Sequence, residues 1–161
     1  MAKKVINAYL EQFSIMEGWI NQHLNSLSDE DLRNEIAPGR NTGLWTLGHL
    51  VASMDDIGLY LSSEEKSYND YWDMFGPGSK LQSAETYPPV TEMRDKWKKV
   101  NEKAKRIIGN VSDEELENDH NNKTDSTDFY KTKKKVIDCW ILHQMYHAGQ
   151  LGILAANKKQ K

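Results

Sequence analysis

The sequence predicts an all-α protein with one domain over residues 1–161. Its apolar residues recur three or four positions apart over long stretches, which is the period of helices that bury one side. Sustained alternation of apolar and polar residues, the pattern of half-buried strands, is absent. The chain of 161 residues is also of ordinary size for one domain. Together these observations favour a single bundle of helices.

The first predicted helix runs from about Lys3 to Leu27. One stripe of this helix carries its apolar residues, namely Val5, Ala8, Tyr9, Phe13, Met16, Ile20, Leu24 and Leu27. Such a stripe needs partner helices to bury it. The next segment, Ser28 to Leu32, combines a serine with three acidic residues, which is typical of an N-cap that opens a short helical turn.

The second predicted helix begins after the Pro38-Gly39 stop and reaches about Ser62. Asn41 or Thr42 can cap its first turn, because both residue types accept a hydrogen bond from free backbone N–H groups. His49 lies within its apolar stretch.

A long connection from Ser63 to Val90 follows, in which the helical pattern weakens to a short aromatic segment, Tyr68 to Phe75. Connections of this length are commonly functional, or cross between distant helices of a bundle. A third helix is predicted from about Thr91 to Ile108, with its lysines on a solvated face.

The segment Ser112 to Leu116 nearly repeats Ser28 to Leu32. Each copy follows a long amphipathic helix and precedes, after a polar linker, a helix that contains histidine. This repetition indicates two helix pairs in a four-helix arrangement. The last predicted helix, from about Thr132 to Ala156, is the most apolar in the chain.

Composition excludes several classes of protein. The chain has 24 acidic and 21 basic residues and a net charge of −3, so no nucleic-acid partner is expected. A single cysteine, Cys139, excludes an intrachain disulfide framework and a four-cysteine zinc site. No stretch resembles a signal peptide or a membrane span. We therefore expect a cytoplasmic protein that neither crosses nor binds a membrane.

The histidines carry the strongest functional signal. His143 and His147 are four residues apart, so their imidazoles leave the same side of the last helix. They belong to its apolar ladder, which is Val136, Trp140, His143, His147, Leu151 and Leu154. Buried imidazoles need partners, and a divalent cation is one such partner. His49 has a similar position on the second helix, and three histidines form an accepted ligand set that leaves a position open.

Other interpretations of these residues remain open or fail on the pattern. Any of the three histidines could be an ordinary core residue with a local hydrogen bond. The first histidine of the pair lacks the following glutamate of HExxH proteases. The Glu-x-x-His pairs of di-iron bundles are also missing from the apolar stripes. His23 and His120 lie off these stripes and are not candidates.

Two motifs together resemble the DinB-like (DinB/YfiT) superfamily. They are Asn41-Thr42-Gly43-Leu44-Trp45-Thr46-Leu47-Gly48-His49-Leu50 and His143-Gln144-Met145-Tyr146-His147-Ala148-Gly149-Gln150. The resemblance extends over nearly the whole chain. It implies a four-helix bundle, often a homodimer, in which His49, His143 and His147 hold a divalent metal. Imidazole ligands suit zinc, nickel, copper and iron alike, and we expect zinc or nickel.

The resemblance also implies a class of reaction. Members transfer low-molecular-weight thiols such as bacillithiol, isomerise maleylpyruvate with mycothiol, or are described as metal-dependent hydrolases. Our leading hypothesis is a bacillithiol-type S-transferase that takes a thiol as co-substrate and a small-molecule electrophile. The alternatives are a hydrolase with the same ligands and a non-catalytic metal-binding or stress-related bundle. Gln150 could orient a ligand or the substrate, and Asp56 could act as a base or position a ligand.

Overall fold

A computed structural model describes residues 4–125 and 130–158, and its regular structure is helical. The α-helices of this part of the chain are α1 Lys4–Ser26, α2 Asp29–Leu32, α3 Gly43–Asp55, α4 Ile57–Leu61, α5 Asn69–Phe75, α6 Val90–Asn110 and α7 Lys133–Lys158. Two short 3₁₀ helices, Ala84–Thr86 and Asp113–Glu115, join them. No strand occurs in the described ranges, which confirms the predicted all-α class.

The long helices α1, α3, α6 and α7 form a four-membered bundle, in which α1 and α3 each pack against both α6 and α7. Helices α1 and α7 run parallel. Near their first turns Tyr9 Oη donates to Asp138 Oδ1 at 2.8 Å, and near their last turns Lys158 Nζ donates to the carbonyl of Ser26 at 3.1 Å.

The pairs α1–α6 and α3–α7 run antiparallel, whereas α3 and α6 run parallel. Trp97 Nε1 of α6 donates to Asn21 Oδ1 of α1 at 2.9 Å, and the same two helices form an ion pair between Lys105 and Glu17. These contacts set α6 antiparallel to α1. The connection between α4 and α6 therefore crosses the bundle, as its length predicts, and it carries α5 against α3.

Helix α3 is the central element, because every residue from Gly43 to Asp55 is buried. Its N-cap is Thr42, whose Oγ1 accepts the N–H of Trp45 at 3.1 Å. The predicted helix is not continuous to Ser62. It is interrupted at Asp56, whose carbonyl accepts the N–H of Leu59 across three residues, as in a tight turn.

Both repeated Ser-Asp-Glu segments form the predicted caps. Ser28 and Ser112 each make a capping box, in which the serine side chain accepts a backbone N–H and an acidic side chain accepts the N–H of the serine. The first copy opens α2 and the second opens a 3₁₀ helix. None of the helices in the described ranges combines the length and the apolar composition needed to cross a bilayer.

Candidate metal centre

Three imidazoles meet between α3 and α7. His49 Nε2 lies 3.2 Å from His143 Nε2, which lies 3.1 Å from His147 Nε2. One ring nitrogen from each histidine lies within 4.8 Å of the other two. The structure thus brings together the three histidines that the two motifs single out, although they come from helices far apart in the sequence.

The surroundings of His49 fix the direction of its ring. Its Nδ1 lies 2.7 Å from the carbonyl oxygen of Phe75, so Nδ1 carries the proton and donates it there. The lone pair of Nε2 then faces the other two histidines. Trp45 stacks on the imidazole with ring centroids 4.9 Å apart and planes 9° from parallel.

Gly48 explains how α5 comes close enough to supply that carbonyl. A methyl group at this position would overlap the ring of Phe75. Glycine therefore allows Phe75 to lie directly against α3, and the same residue offers its backbone oxygen to His49. The sequence contains a signal for this contact only in the glycine itself, since any residue type can provide a carbonyl acceptor.

His147 is oriented in the same way by a side chain. Its Nδ1 lies 2.7 Å from Gln150 Oε1, an acceptor that leaves Nε2 facing His143. Gln150 thus lies where the sequence predicts an orienting residue. Tyr146 packs its ring against His147 with centroids 5.1 Å apart, and its side chain is largely exposed.

A second contact, which the sequence pattern did not predict, joins the two helices beside the cluster. Gln144 is fully buried and its Nε2 donates to Ser53 Oγ at 2.9 Å. Ser53 Oγ in turn donates to the carbonyl of His49 at 2.7 Å. Gln144 rather than His143 occupies the centre of the α7 stripe, and His143 lies at its edge. The only sequence signal for this contact is the position of Gln144, a polar residue between the two histidines of the apolar stripe.

Burial keeps these imidazoles neutral. Burial, with a smaller contribution from the neighbouring imidazoles, lowers the pKa of His143 to about 4 and that of His147 to about 3. Burial also lowers the pKa of His49, against the opposing effect of its hydrogen bond to Phe75. All three rings are therefore neutral near pH 7, which is the form that binds a metal.

Two of the three nitrogen–nitrogen distances match those expected around one metal ion. Two Zn–N bonds of ~2.0–2.1 Å that meet at about 100° place their nitrogens roughly 3.1–3.2 Å apart. The two Nε2–Nε2 distances of 3.2 and 3.1 Å agree with that value. His143 Nε2 can donate a hydrogen bond to only one of its two neighbours, whereas a cation between the three nitrogens would satisfy all of them. The residues present fit a divalent ion of the kind that imidazole prefers.

A cavity of about 450 Å³ begins at the cluster. His49 and His143 line one part of it, and Asp56 and Cys139 also belong to its walls. Asp56 is therefore beside the cluster rather than in it, and its Oδ1 lies 2.8 Å from Lys66 Nζ.

The two remaining histidines lie elsewhere in the fold. His23 packs beside Gly152, further along α7. His120 lies in a loop before α7, where it is buried against the ring of Tyr60 with centroids 5.1 Å apart.

Comparison with known proteins identifies a family and a solved structure of similar fold. The sequence model of the DinB superfamily matches residues 12–151. A crystal structure of a conserved protein from Enterococcus faecalis has the same fold, with a TM-score of 0.67 at 15% identity over 96% of each chain. No curated protein matches the sequence. Because the family match covers most of the chain, this protein belongs to the DinB superfamily.

Proposed function

We propose that the protein is a metal-dependent S-transferase, in which His49, His143 and His147 hold a divalent zinc or nickel ion. The observation that carries this proposal is the convergence of three neutral imidazoles, two of which have their outer nitrogens fixed by carbonyl acceptors. Catalytic zinc sites use three protein ligands and leave a further position for a small molecule. The two substrates are a low-molecular-weight thiol of the bacillithiol type and an electrophile.

Each residue has a definite task in this reaction. The bound ion supplies Lewis acidity that favours the thiolate form of a thiol near neutral pH. Phe75 and Gln150 hold the protons of His49 and His147 on Nδ1, so that the lone pair of each Nε2 stays available for the ion. Trp45 covers one face of His49 and excludes water there. The cavity beside His143 admits the electrophile.

Asp56 has a supporting part in the same proposal. It is buried in the cavity wall, and its partner Lys66 holds its carboxylate in place. From there it can accept a hydrogen bond from a substrate in the cavity. It does not orient His49 or His147, because the Nδ1 atoms of these two histidines have other partners.

Metal content tests the ligand assignment. Wild type, His147→Gln and the control His23→Gln are loaded with zinc, dialysed and analysed for bound metal. We expect about one zinc per chain in wild type and in the control, and a loss of bound zinc in His147→Gln. Equal zinc in all three proteins would contradict the assignment.

Turnover tests the reaction. The zinc-loaded protein is incubated with a thiol and a panel of electrophiles, and in parallel with esters and amides in the absence of thiol. Thioether formation that disappears in His147→Gln supports the transferase. Hydrolysis without thiol would instead support the hydrolase, and bound metal with neither reaction would support a non-catalytic metal protein.

We further propose that the chain is one domain that forms a homodimer through α1 and α7 in the cytoplasm. Large apolar side chains are exposed along these two neighbouring helices: Val5, Ile15, Trp19, Leu142, Tyr146 and Ile153. Exposed apolar patches of this kind commonly mark protein interfaces. The single free cysteine accords with a reducing compartment. Sedimentation of a monomer at micromolar concentration would remove the dimer, whereas a dimer that Leu142→Glu dissociates would support it.

A further inference from the structure

The cavity beside the histidine cluster is lined largely by aromatic side chains. Four aromatic side chains from different parts of the chain surround it: Tyr60, Trp72, Tyr130 and Trp140. Its volume of about 450 Å³ lies in the range of small-molecule sites, roughly 300–1,000 Å³. It can therefore hold a molecule with a ring or two beside the open position of the proposed ion.

Three of these aromatic rings pack against one another. Tyr60 and Tyr130 meet edge to face with centroids 5.5 Å apart, and Tyr130 and Trp140 do the same at 5.6 Å. The polar tips of two of them are already bonded within the protein. Tyr60 Oη donates to Asp125 Oδ2 at 2.8 Å, and Trp140 Nε1 donates to the carbonyl of Ser53 at 2.8 Å. These two side chains are thus left to contact a ligand mainly through their ring surfaces.

The charged groups in the wall have one sign. Asp56 and Asp125 line the cavity, and no lysine or arginine of the described residues does so. Lys66 pairs with Asp56 and packs over the ring of Trp72 at 4.5 Å, outside the lining. The charge of a bound metal acts at the histidine part of the cavity, where the proposed function places the thiolate. A negative group at the aromatic part would lie near these two carboxylates, and no lysine or arginine among the described lining residues would face it.

We propose that this cavity binds the electrophilic co-substrate, and that this co-substrate is a planar aromatic molecule without negative charge. The inference rests on the proposed transferase function for the role of the ligand, but the binding preference itself comes from the cavity. Planar rings gain contact area and offset or edge-to-face stacking from aromatic walls. Anionic analogues lose affinity through repulsion by the two carboxylates and through desolvation.

A chloronitroarene shows the reaction that this arrangement serves. The thiolate sulfur attacks the ring carbon that bears chlorine, and a C–S bond forms. The C–Cl bond breaks, chloride leaves with the bonding electron pair, and the proton of the original thiol passes to the buffer. No oxidant or reductant is needed.

Binding of two inert arenes tests the proposal without turnover. 3,5-Dinitrobenzamide and 3,5-dinitrobenzoate share a ring and differ in charge. Their dissociation constants are measured by equilibrium dialysis at pH 8 in the presence of a chelator, so that the carboxylate of the benzoate has no metal to bind. This pH lies well above the ordinary pKa of a carboxyl group, although burial raises the pKa of Asp56. We expect the amide to bind at least tenfold more tightly than the benzoate.

Variants locate this preference in the cavity. Trp72→Ala should weaken binding of the amide at least fivefold, whereas Trp19→Ala, an exposed tryptophan of α1, should leave it unchanged. Asp56→Asn leaves Lys66 without its carboxylate partner, so the benzoate should bind more tightly and the ratio should fall below threefold. Asp125→Asn provides a second measurement of the same effect if Asp56→Asn does not fold.

The outcomes separate this inference from the proposed function. Equal affinities for the two arenes, tighter binding of the benzoate, no binding of either, or no effect of Trp72→Ala would each overturn the inference. If the amide binds as expected but zinc-loaded protein and thiol do not convert 4-chloro-3,5-dinitrobenzamide, the transferase function fails and the cavity preference stands. If zinc-loaded protein and thiol convert only aliphatic electrophiles, the transferase function stands and the inference about the cavity fails.

Discussion

Replacement of Gln150 by leucine tests whether the hydrogen bond to His147 prepares the ring for a metal. Leucine has a similar size and removes the acceptor that lies 2.7 Å from Nδ1. A neutral imidazole can carry its proton on either nitrogen. Without the acceptor, the tautomer with the proton on Nε2 becomes competitive, and that tautomer cannot bind the ion through Nε2.

The magnitude follows from the energy of one hydrogen bond. A neutral hydrogen bond of this kind contributes about 0.5–1.5 kcal/mol, and 1.4 kcal/mol corresponds to about tenfold in affinity. Loss of partners that orient a ligand typically lowers metal affinity by about 10–100-fold. We expect Gln150→Leu to bind zinc about tenfold more weakly than wild type, and Gln150→Glu to retain wild-type affinity or exceed it, since a carboxylate also accepts the proton.

Competition between the protein and a chromophoric zinc chelator measures this affinity directly. Gln22→Leu is the matched control, because it makes the same substitution at an exposed position of α1, a helix that supplies none of the three histidines. The thermal midpoint of the metal-free variants should stay close to that of wild type. If Gln150→Leu and Gln22→Leu bind zinc equally well, the hydrogen bond has no role in preparing the site.

Three further outcomes follow from the structure. The metal-free protein should lose stability as the pH falls from about 6.5 towards 4, because the pKa of His147 is lowered to about 3 while the unfolded chain takes up its proton near pH 6.5; urea unfolding at several pH values should show a smaller loss in His147→Gln. Gly48→Ala should cost about 1–3 kcal/mol in unfolding free energy through overlap with Phe75 and weaken zinc binding, and unchanged values for both would contradict the close approach of α5. Gln144→Leu should reduce zinc affinity less than Gln150→Leu does, because it removes the link to Ser53 but leaves the Nδ1 acceptors of His49 and His147 in place; a larger loss than in Gln150→Leu would reverse that order.

Periodicity predicted the helices well because it reports which side of each helix is buried. The apolar stripes gave α1, α6 and α7 within a few residues of their observed bounds. The interruption at Asp56 had no such signal. Two adjacent carboxylates bind the following connection there, Asp55 through the N–H groups of Ser67 and Tyr68, and Asp56 through Lys66. These contacts join segments that are distant in sequence, so a local pattern does not reveal them.

The candidate site was predictable in its ligands but not in its supporting groups. Imidazole is a rare side chain in an apolar stripe, and this rarity made His49, His143 and His147 visible in the sequence. The acceptor for His49 is a backbone carbonyl of Phe75, which leaves no trace in residue type. The cavity walls come from several segments that meet only in the folded chain, and therefore required the structure.

The origin of the ligands in two distant helices has a consequence for folding. His49 and His143 are 94 positions apart in the chain, so an unfolded chain offers an ion only the nearby pair of α7. An ion that binds all three histidines then binds the native state selectively, and at a concentration 100 times its Kd it adds about 2.7 kcal/mol to stability. If the proposed site is filled in the cell, the supply of metal controls the lifetime and abundance of this protein as well as its activity.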